Sequence, residues 1–531
     1  MTWDGRIFIP SNCRGSSDAT TSSCCFRFMG DQEPKRQGHG HRISLVRRKS
    51  PGRLVRRSFR LRASTAASFR HWPISRSWSV RGVLRWSRGG TRLQRTSSWK
   101  DWSAMTKPQP LAGKVIGVWA YVKSSADHFG GVETQVARLC AELRRLGASI
   151  VLHCLSSARA GWHVADGQFR QGPSCDMQSE TFSVFHPQNG PGLEGCVSEN
   201  VAVAGRLHEE VILAFGTRDG HVFDIAREGS NVLGIPLVSF IYFTAEERQY
   251  RSQFHNRTRS IPGVASTAER ADLIDHSLQV IVDTVAASEL VVVPTMYVRD
   301  QVVNIAQDAM EKCRVIYHGV DDDFVIQRNF CPPRRGWLHV SRVSLPYAGH
   351  KNFFWSLEAT RAASRLDPAV MLKVIGAGDA GDLLQQFVIA NDLQDSVSLA
   401  GTLSPRRVAA EFARSKILLV PSMMEAGSTT TVEAVLSGCL PVGASAAALP
   451  ELFGDLGLAE FLLPTRIVER GDVSAIEPDL DLAVGRLIDW DRRFDDLSDV
   501  ISEAGLIARE RFHVRKTTGD LIEAMDGAGL I

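Results

Sequence analysis

Two acids eight positions apart, Glu425 and Glu433 in the string EAGSTTTVE, stand between an apolar run that reads as a strand (KILLVP) and one that reads as a helix (VEAVLSGCLPV). The strand ends at Pro421, and the hydroxyls that follow are good N-cap groups, so the helix starts within 428–431. The first N–H groups of such a helix have no intrahelical partner, and together with the helix dipole they attract a phosphate. An acid on the entry loop can then reach the hydroxyls of a sugar attached to that phosphate, and an acid about one turn into the helix can accept from a ribose diol. That chemistry suits a nucleotide-linked sugar. The same pair also reads as a solvated loop acid and a partner of the helix dipole, and the rest of the chain has to decide between the two.

Two cations point the same way. The run WLHVSR reads as a strand ending in Arg342, and Lys351 follows nine residues later in AGHKN, ahead of the helical stretch FFWSLEATRAASRL. At a strand's carboxyl end they suit a diphosphate, Arg as a forked donor and Lys as a point charge; singly, each reads as a solvated surface cation. Gly130 and Gly131 lie between the first apolar strand and an amphipathic helix opening at Val132, where consecutive glycines let a phosphate approach the backbone or simply make a turn. The string GAGDAG, with Gly376, Gly378 and Gly381, fits the dinucleotide spacing GxGxxG. It follows the domain's second strand, however, and Asp395 precedes the next strand instead of ending it, so an NAD site is rejected. His318 and His339 read as core or turn histidines. Patterns for serine hydrolases (GxSxG), zinc proteases (HExxH) and P-loops are absent.

These residues need a scaffold, and the hydrophobic pattern supplies one. From Lys114, short apolar runs alternate with amphipathic stretches: VIGVWA, a helix with Val132, Val136, Leu139, Leu143 and Leu146 on one face, SIVLHCL, then EVILAF, PLVSFIYF, LVVVP and RVIYHG. After a stretch rich in Asp, Arg and Pro, the alternation restarts with GWLHVSR, VMLKVIG, SVSLAG, KILLVP and LPVGA. The pattern predicts two α/β, Rossmann-like, doubly wound domains facing a cleft, with ligands beyond the carboxyl ends of the strands. The expected boundaries are a first domain over 105–320, a linker over 321–335, a second domain over 336–505, and a last helix over 506–525, within a C-terminal segment 506–531 that packs back on the first domain.

Charge sets the N-terminus apart. Residues 1–100 carry 22 Lys and Arg against four acids, so the rest of the 531-residue chain is at −14 although the whole is +4. Residues 1–104 lack periodicity and cannot build a core. They read as a transit peptide, as a basic arm, or as an upstream extension outside the working protein, which then starts at Met105; the last is preferred. The longest apolar candidate for a membrane span is interrupted by Asp283 and Glu289. Ten cysteines without a CxxC pair argue for reduced thiols and a cytoplasmic setting, with neither a disulfide framework nor a zinc site.

Taken in order, the segments GGVE, RVIYHGVDDDF, SR with its downstream KN, VIGAG, SLAGTLS, EAGSTTTVEAVLSGCLPVGASAAALPEL and RERFHV resemble glycosyltransferases of the GT-B type, retaining family 4, within the glycosyl transferases group 1. The resemblance spans residues 113–525. It implies a metal-independent enzyme without a cofactor that moves a sugar from a nucleoside diphosphate to an acceptor with retention of configuration. By position, Glu425 would touch the sugar hydroxyls and Glu433 the ribose. Arg342 and Lys351 would neutralise the diphosphate, aided by the backbone at Gly427, Ser428, Thr429 and Thr430, with Gly401 and Leu403 bordering the base and Gly130 and Gly131 on the donor side. Three departures stand out. EAGSTTTVE replaces the common EGFGLPPLE; Tyr242, with Thr244 and Glu246 nearby, stands where the family often has His; and SLPYAGH lengthens the loop before Lys351. The acceptor is left open between a saccharide, a lipid-linked glycan and a small molecule, with residues 153–199 on its side. No nucleic-acid partner is expected, and peripheral contact with a membrane stays open. A phosphorylase, a sugar-nucleotide epimerase and a catalytically silent binding module of the same fold are the alternatives.

Overall fold

The apolar runs form parallel strands. Along the chain they are β1 (Val115–Tyr121), β2 (Ser149–Leu155), the hairpin β3 (Trp162–Ala165) and β4 (Gln168–Gln171), β5 (Thr181–Ser183), β6 (Val211–Phe215), β7 (Leu237–Phe240), β8 (Leu290–Val293) and β9 (Cys313–Val315). The second half supplies β10 (Trp337–Val340), β11 (Leu372–Ile375), β12 (Val397–Gly401), β13 (Ile417–Val420), β14 (Leu440–Ala444), β15 (Leu462–Leu463) and the antiparallel hairpin β16 (Thr465–Arg470) and β17 (Val473–Pro478). This is a computed structural model, and the residues described are 109–121, 131–155, 162–165, 168–171, 181–183, 193–216, 221–243, 267–325, 333–344, 348, 350–470 and 473–531. All of them fall in one compact unit, Trp99–Ile531. The basic extension 1–104, Met105, Gly130, Thr244 and Glu246 lie outside the described residues.

Seven strands make one parallel sheet in the order β5-β2-β1-β6-β7-β8-β9, and six make a second in the order β12-β11-β10-β13-β14-β15. The central strands β6, β7, β8, β13 and β14 are buried along their whole length, as strands covered by helices on both faces must be. The alternation of the pleat divides the first sheet's apolar residues between two cores. Val118 and Leu213 pack on one face with Val136, Cys140 and Leu143 of the helix Gly131–Arg145. Trp119, Ile212 and Ala214 pack on the other with Phe223 and Ile225. Strand order reverses between β1 and β6 in the first sheet and between β10 and β13 in the second. Loops leaving the two strands at such a reversal part to opposite faces and open a crevice. In the second sheet those are the loops with Arg342 and with Glu425.

The C-terminal end differs from the expected single helix over 506–525. Two helices form, Ser498–Arg511 and Val514–Gly527, and the break is where the chain changes cores. Phe512 is buried in the second core, while Leu521 and Met525 are buried in the first. Between them the backbone pairs with Val320, whose N–H donates to the Phe512 carbonyl at 2.8 Å and whose carbonyl accepts from Val514 N–H at 3.0 Å. A continuous helix would use those groups internally. The His513 side chain caps the new helix by accepting from Arg515 N–H. Among the described residues, no helix is long and apolar enough to cross a membrane.

Candidate active site

The loop after β13 carries Glu425 and the helix Thr429–Leu436 carries Glu433, and both acids are buried. Ser428 is the N-cap residue, yet its side chain makes no cap hydrogen bond. Its Oγ lies 3.1 Å from Thr430 Oγ1 and accepts from Thr431 Oγ1 at 2.9 Å. The hydroxyls of this Ser-Thr run bond one another, and among the described residues no side chain takes up the first N–H groups of the helix. Glu425 is buried, with Oε1 accepting from Lys351 Nζ at 2.6 Å. Lys351 reaches it from the end of the loop after β10, just before the helix Phe353–Ser364. Between the lysine and that helix, Asn352 holds a left-handed conformation, φ 49°, which an asparagine tolerates better than most residues.

Arg342 follows β10, on a loop held by the glycines of GAGDAG. Ser341 N–H donates to the Ile375 carbonyl, Val343 N–H to the Ala377 carbonyl, and Ala380 N–H to the Val343 carbonyl, at 3.1 to 3.2 Å. A Cβ on Gly376 would lie 1.7 Å from the Ser341 carbonyl oxygen, and one on Gly378 would lie 2.2 Å from that of Val343. Their φ values of 135° and 156° also belong to glycine. The two glycines thus serve close packing of the Arg342 loop.

Glu433 is buried in the second turn of its helix and pairs with Arg138 of the helix Gly131–Arg145, Nη2 to Oε1 at 3.1 Å. The same guanidinium donates from Nε to Asp321 Oδ2 at 2.9 Å and from Nη1 to the Gly319 carbonyl at 3.2 Å. Gln135, one turn earlier, donates to that carbonyl as well. Burial opposes the Arg138 charge, but Glu433 and Asp321 outweigh it and keep its pKa above the ordinary arginine value. For Glu433 the balance is reversed: burial raises the carboxyl pKa, and Arg138 only partly opposes this.

The remaining candidates line the same crevice or stand clear of it. Gly427 lies against His318, where an added Cβ would be 2.8 Å from the imidazole Cδ2. His318 Nδ1 is buried without a hydrogen-bond partner, and burial, followed by the Arg138 charge, pushes the imidazole pKa down to about 4. Tyr242 stacks edge-on against His318 at 4.5 Å between ring centres, and burial raises its phenol pKa, so it stays protonated. Gly401 takes φ 65° at the end of β12 and accepts from Gly376 N–H at 2.8 Å, and Leu403 packs on the second core. Gly131 opens its helix exposed, with nothing within 4 Å of an added Cβ. His339, on β10, is held between Ser356 and Ser341, a core histidine. No cluster of three or more metal-ligating side chains occurs among the described residues.

Arg138, Asp321 and His318 are the site's neighbours that motif spacing passes over. The one signal for Arg138 is its spacing from Gln135, three residues, which places both on one face beside the apolar stripe.

Comparison with known proteins gives the fold and a family match over part of the second half. Residues 343–471 match the family described as glycosyl transferases group 1. A relative, the MMP alpha-(1->4)-mannosyltransferase of Mycolicibacterium hassiacum, is 26% identical over 189 residues, 36% of this chain and 43% of its own length. Among solved structures, the chain is similar to sucrose-phosphate synthase from Thermosynechococcus elongatus, with TM-score 0.56, 14% identity, and coverage of 78% of this chain and 100% of that one. It is also similar to Anabaena HepE, solved with UDP and glucose, with TM-score 0.55, 16% identity and coverage of 78% and 99%. Residues 343–471, which hold β11 to β16, are thus similar to the glycosyl transferases group 1, and the two parallel sheets give the chain the GT-B fold of such structures.

Proposed function

We propose that the protein is a glycosyltransferase that moves a sugar from a nucleoside diphosphate to an acceptor hydroxyl, in the manner of retaining family 4 and without a metal. The observation that carries this reading is the 2.6 Å contact of Lys351 with Glu425 at the strand-order reversal of the second sheet, beside a helix mouth that its N-cap residue, Ser428, does not cap. Bound donor would replace that contact. Its diphosphate takes Lys351, Arg342 and the N–H groups at Ser428, Thr429 and Thr430, and its sugar hydroxyls take Glu425. As the bond from the anomeric carbon to the phosphate oxygen breaks, negative charge grows on the diphosphate, where these fixed positive groups already stand. The acceptor oxygen bonds to the same carbon on the same face, and its proton passes to the departing phosphate. Glu433 holds the ribose, and Gly401 and Leu403 border the base. HepE, solved with UDP and glucose, and the mannosyltransferase relative favour a hexose as the sugar and a nucleoside diphosphate such as UDP as its carrier.

Thermal stabilisation by UDP, GDP and ADP in EDTA tests the donor site, and turnover tests the chemistry. One nucleotide should raise the melting temperature, Glu433→Ala should abolish that rise, and Arg342→Ala should cut kcat while leaving the fold intact. No stabilisation by any nucleotide would refute the donor site. Stabilisation without release of nucleotide from any sugar donor would leave a binding module in place of an enzyme.

A further inference from the structure

Arg138 ties three distant stretches of chain together. Its side chain is 3% exposed, and its donors go to Asp321, to the Gly319 carbonyl and to Glu433. The guanidinium carbon also lies 5.6 Å from the centre of the Phe324 ring, close enough for a cation–π contribution. Glu433 is 295 residues away in sequence and stands on the helix that opens the candidate donor site. Among the described residues its Oε1 is the oxygen that takes a hydrogen bond, and Oε2 accepts none from them, while the side chain retains 10% exposure.

A carboxylate on a helix turns about its last side-chain torsion, which is broad and roughly two-fold. A fixed donor on one oxygen removes that freedom and sets the direction of the other. A carboxylate is also a stronger acceptor than a carboxylic acid, and a buried one keeps its charge only beside a partner. Arg138 is that partner, and it is carried by the helix that packs on the first sheet. On the reading that this is a nucleotide-sugar site, we propose that Arg138 is a positioning residue for the nucleotide. It aims the free oxygen of Glu433 at the ribose diol, and it makes that grip conditional on the first sheet's helix being apposed to the second sheet's site. The connection through Gly319 and Asp321 is part of the same clamp, since Gln135 and Arg138 both donate to the Gly319 carbonyl.

The test is the affinity of the full chain for whichever of UDP, GDP and ADP binds best, by calorimetry, in wild type, Arg138→Met, Arg138→Lys, Glu433→Gln and the double variant Arg138→Met/Glu433→Gln. Arg138→Met should weaken the nucleotide by about tenfold or more. Arg138→Lys, which restores a charge without the fork, should recover part of it. The double variant should bind no more than about twofold worse than Glu433→Gln alone, because both changes remove one device. A merely structural Arg138 would weaken binding additively with Glu433→Gln, or would leave affinity unchanged while lowering the melting temperature, and either result overturns the proposal. If Arg138→Met does not fold, Arg138→Lys decides: it must bind the nucleotide more weakly than wild type at an unchanged melting temperature. A wild type that binds none of the nucleotides overturns the donor-site reading, and this inference with it.

Discussion

Burial raises the pKa of Glu433 in the folded chain, with Arg138 opposing, and a raised carboxyl carries a definite sign. Its contribution to stability is present below the unfolded pKa and is lost as pH rises through the folded one. Arg138→Met removes the opposing charge and raises the pKa further, so the deficit in melting temperature against wild type should be small near pH 5 and grow toward pH 8. An unpaired buried charge costs about 3–5 kcal/mol, and a deficit independent of pH in thermal melts would contradict the argument. His318 has the opposite sign: its folded pKa of about 4 lies below the ordinary imidazole value, so the stability it confers is lost as pH falls from about 6.5 toward 4. His318→Asn should flatten the loss of melting temperature over that window, and an unchanged slope would show that other groups set it. Arg138 did not stand out in the sequence, and His318 read only as a core or turn histidine. Glu433 was singled out by its spacing from Glu425 and by the helix ahead of it, both local features. Its partner lies 295 positions away on a helix whose apolar stripe accounts for the neighbouring positions, and nothing in the order of residues links the two.

At the level of elements, local chemistry was readable wherever the chain does one thing at a time. Apolar runs became strands, and the Ser-Thr run opened a helix at Thr429, with its hydroxyls bonding one another and not capping the backbone. The last helix was misjudged because helical propensity over 506–525 says nothing of the change of core at Phe512, where pairing with Val320 takes the backbone groups. The GAGDAG string shows the opposite difficulty, since glycines spaced for a phosphate loop can equally make room for another backbone. Ser341 and Val343 are that backbone, and they flank Arg342. Gly376→Ala therefore forces a side chain into a φ of 135° and against a carbonyl, costing at least about 1–3 kcal/mol in backbone strain. The variant should melt lower and lose turnover, while nucleotide still protects it through Glu433, which stands on another element. Turnover equal to wild type would mean that the Arg342 loop does not depend on this packing.

At the scale of the whole molecule, the two halves meet through polar groups that no local pattern announces. Thr295 Oγ1 donates to the Ala426 carbonyl at 2.8 Å, next to Glu425 on the loop after β13. The helix Met296–Ile305 has its first two N–H groups taken by Glu451, at 2.8 and 2.9 Å, and its third by Thr295. Glu451 belongs to the helix Leu449–Asp455 that follows β14, so the second half caps a helix of the first. Tyr317 adds hydrogen bonds to Glu451 and Asp455, and Arg511 pairs with Asp455. A carboxylate at a helix N-terminus is worth up to about 2 kcal/mol in a partly buried setting. That is enough to shift the balance between apposed and parted halves by more than tenfold, yet too little to unfold a chain of this size. In a transferase, parting of the halves admits water to the donor. Glu451→Ala should therefore leave the melting temperature nearly unchanged and raise the share of donor that is hydrolysed instead of transferred, read as free sugar against product. A ratio equal to that of wild type would show that closure rests on the Arg138 clamp and on the crossing at Val320, with Glu451 serving only the helix it caps.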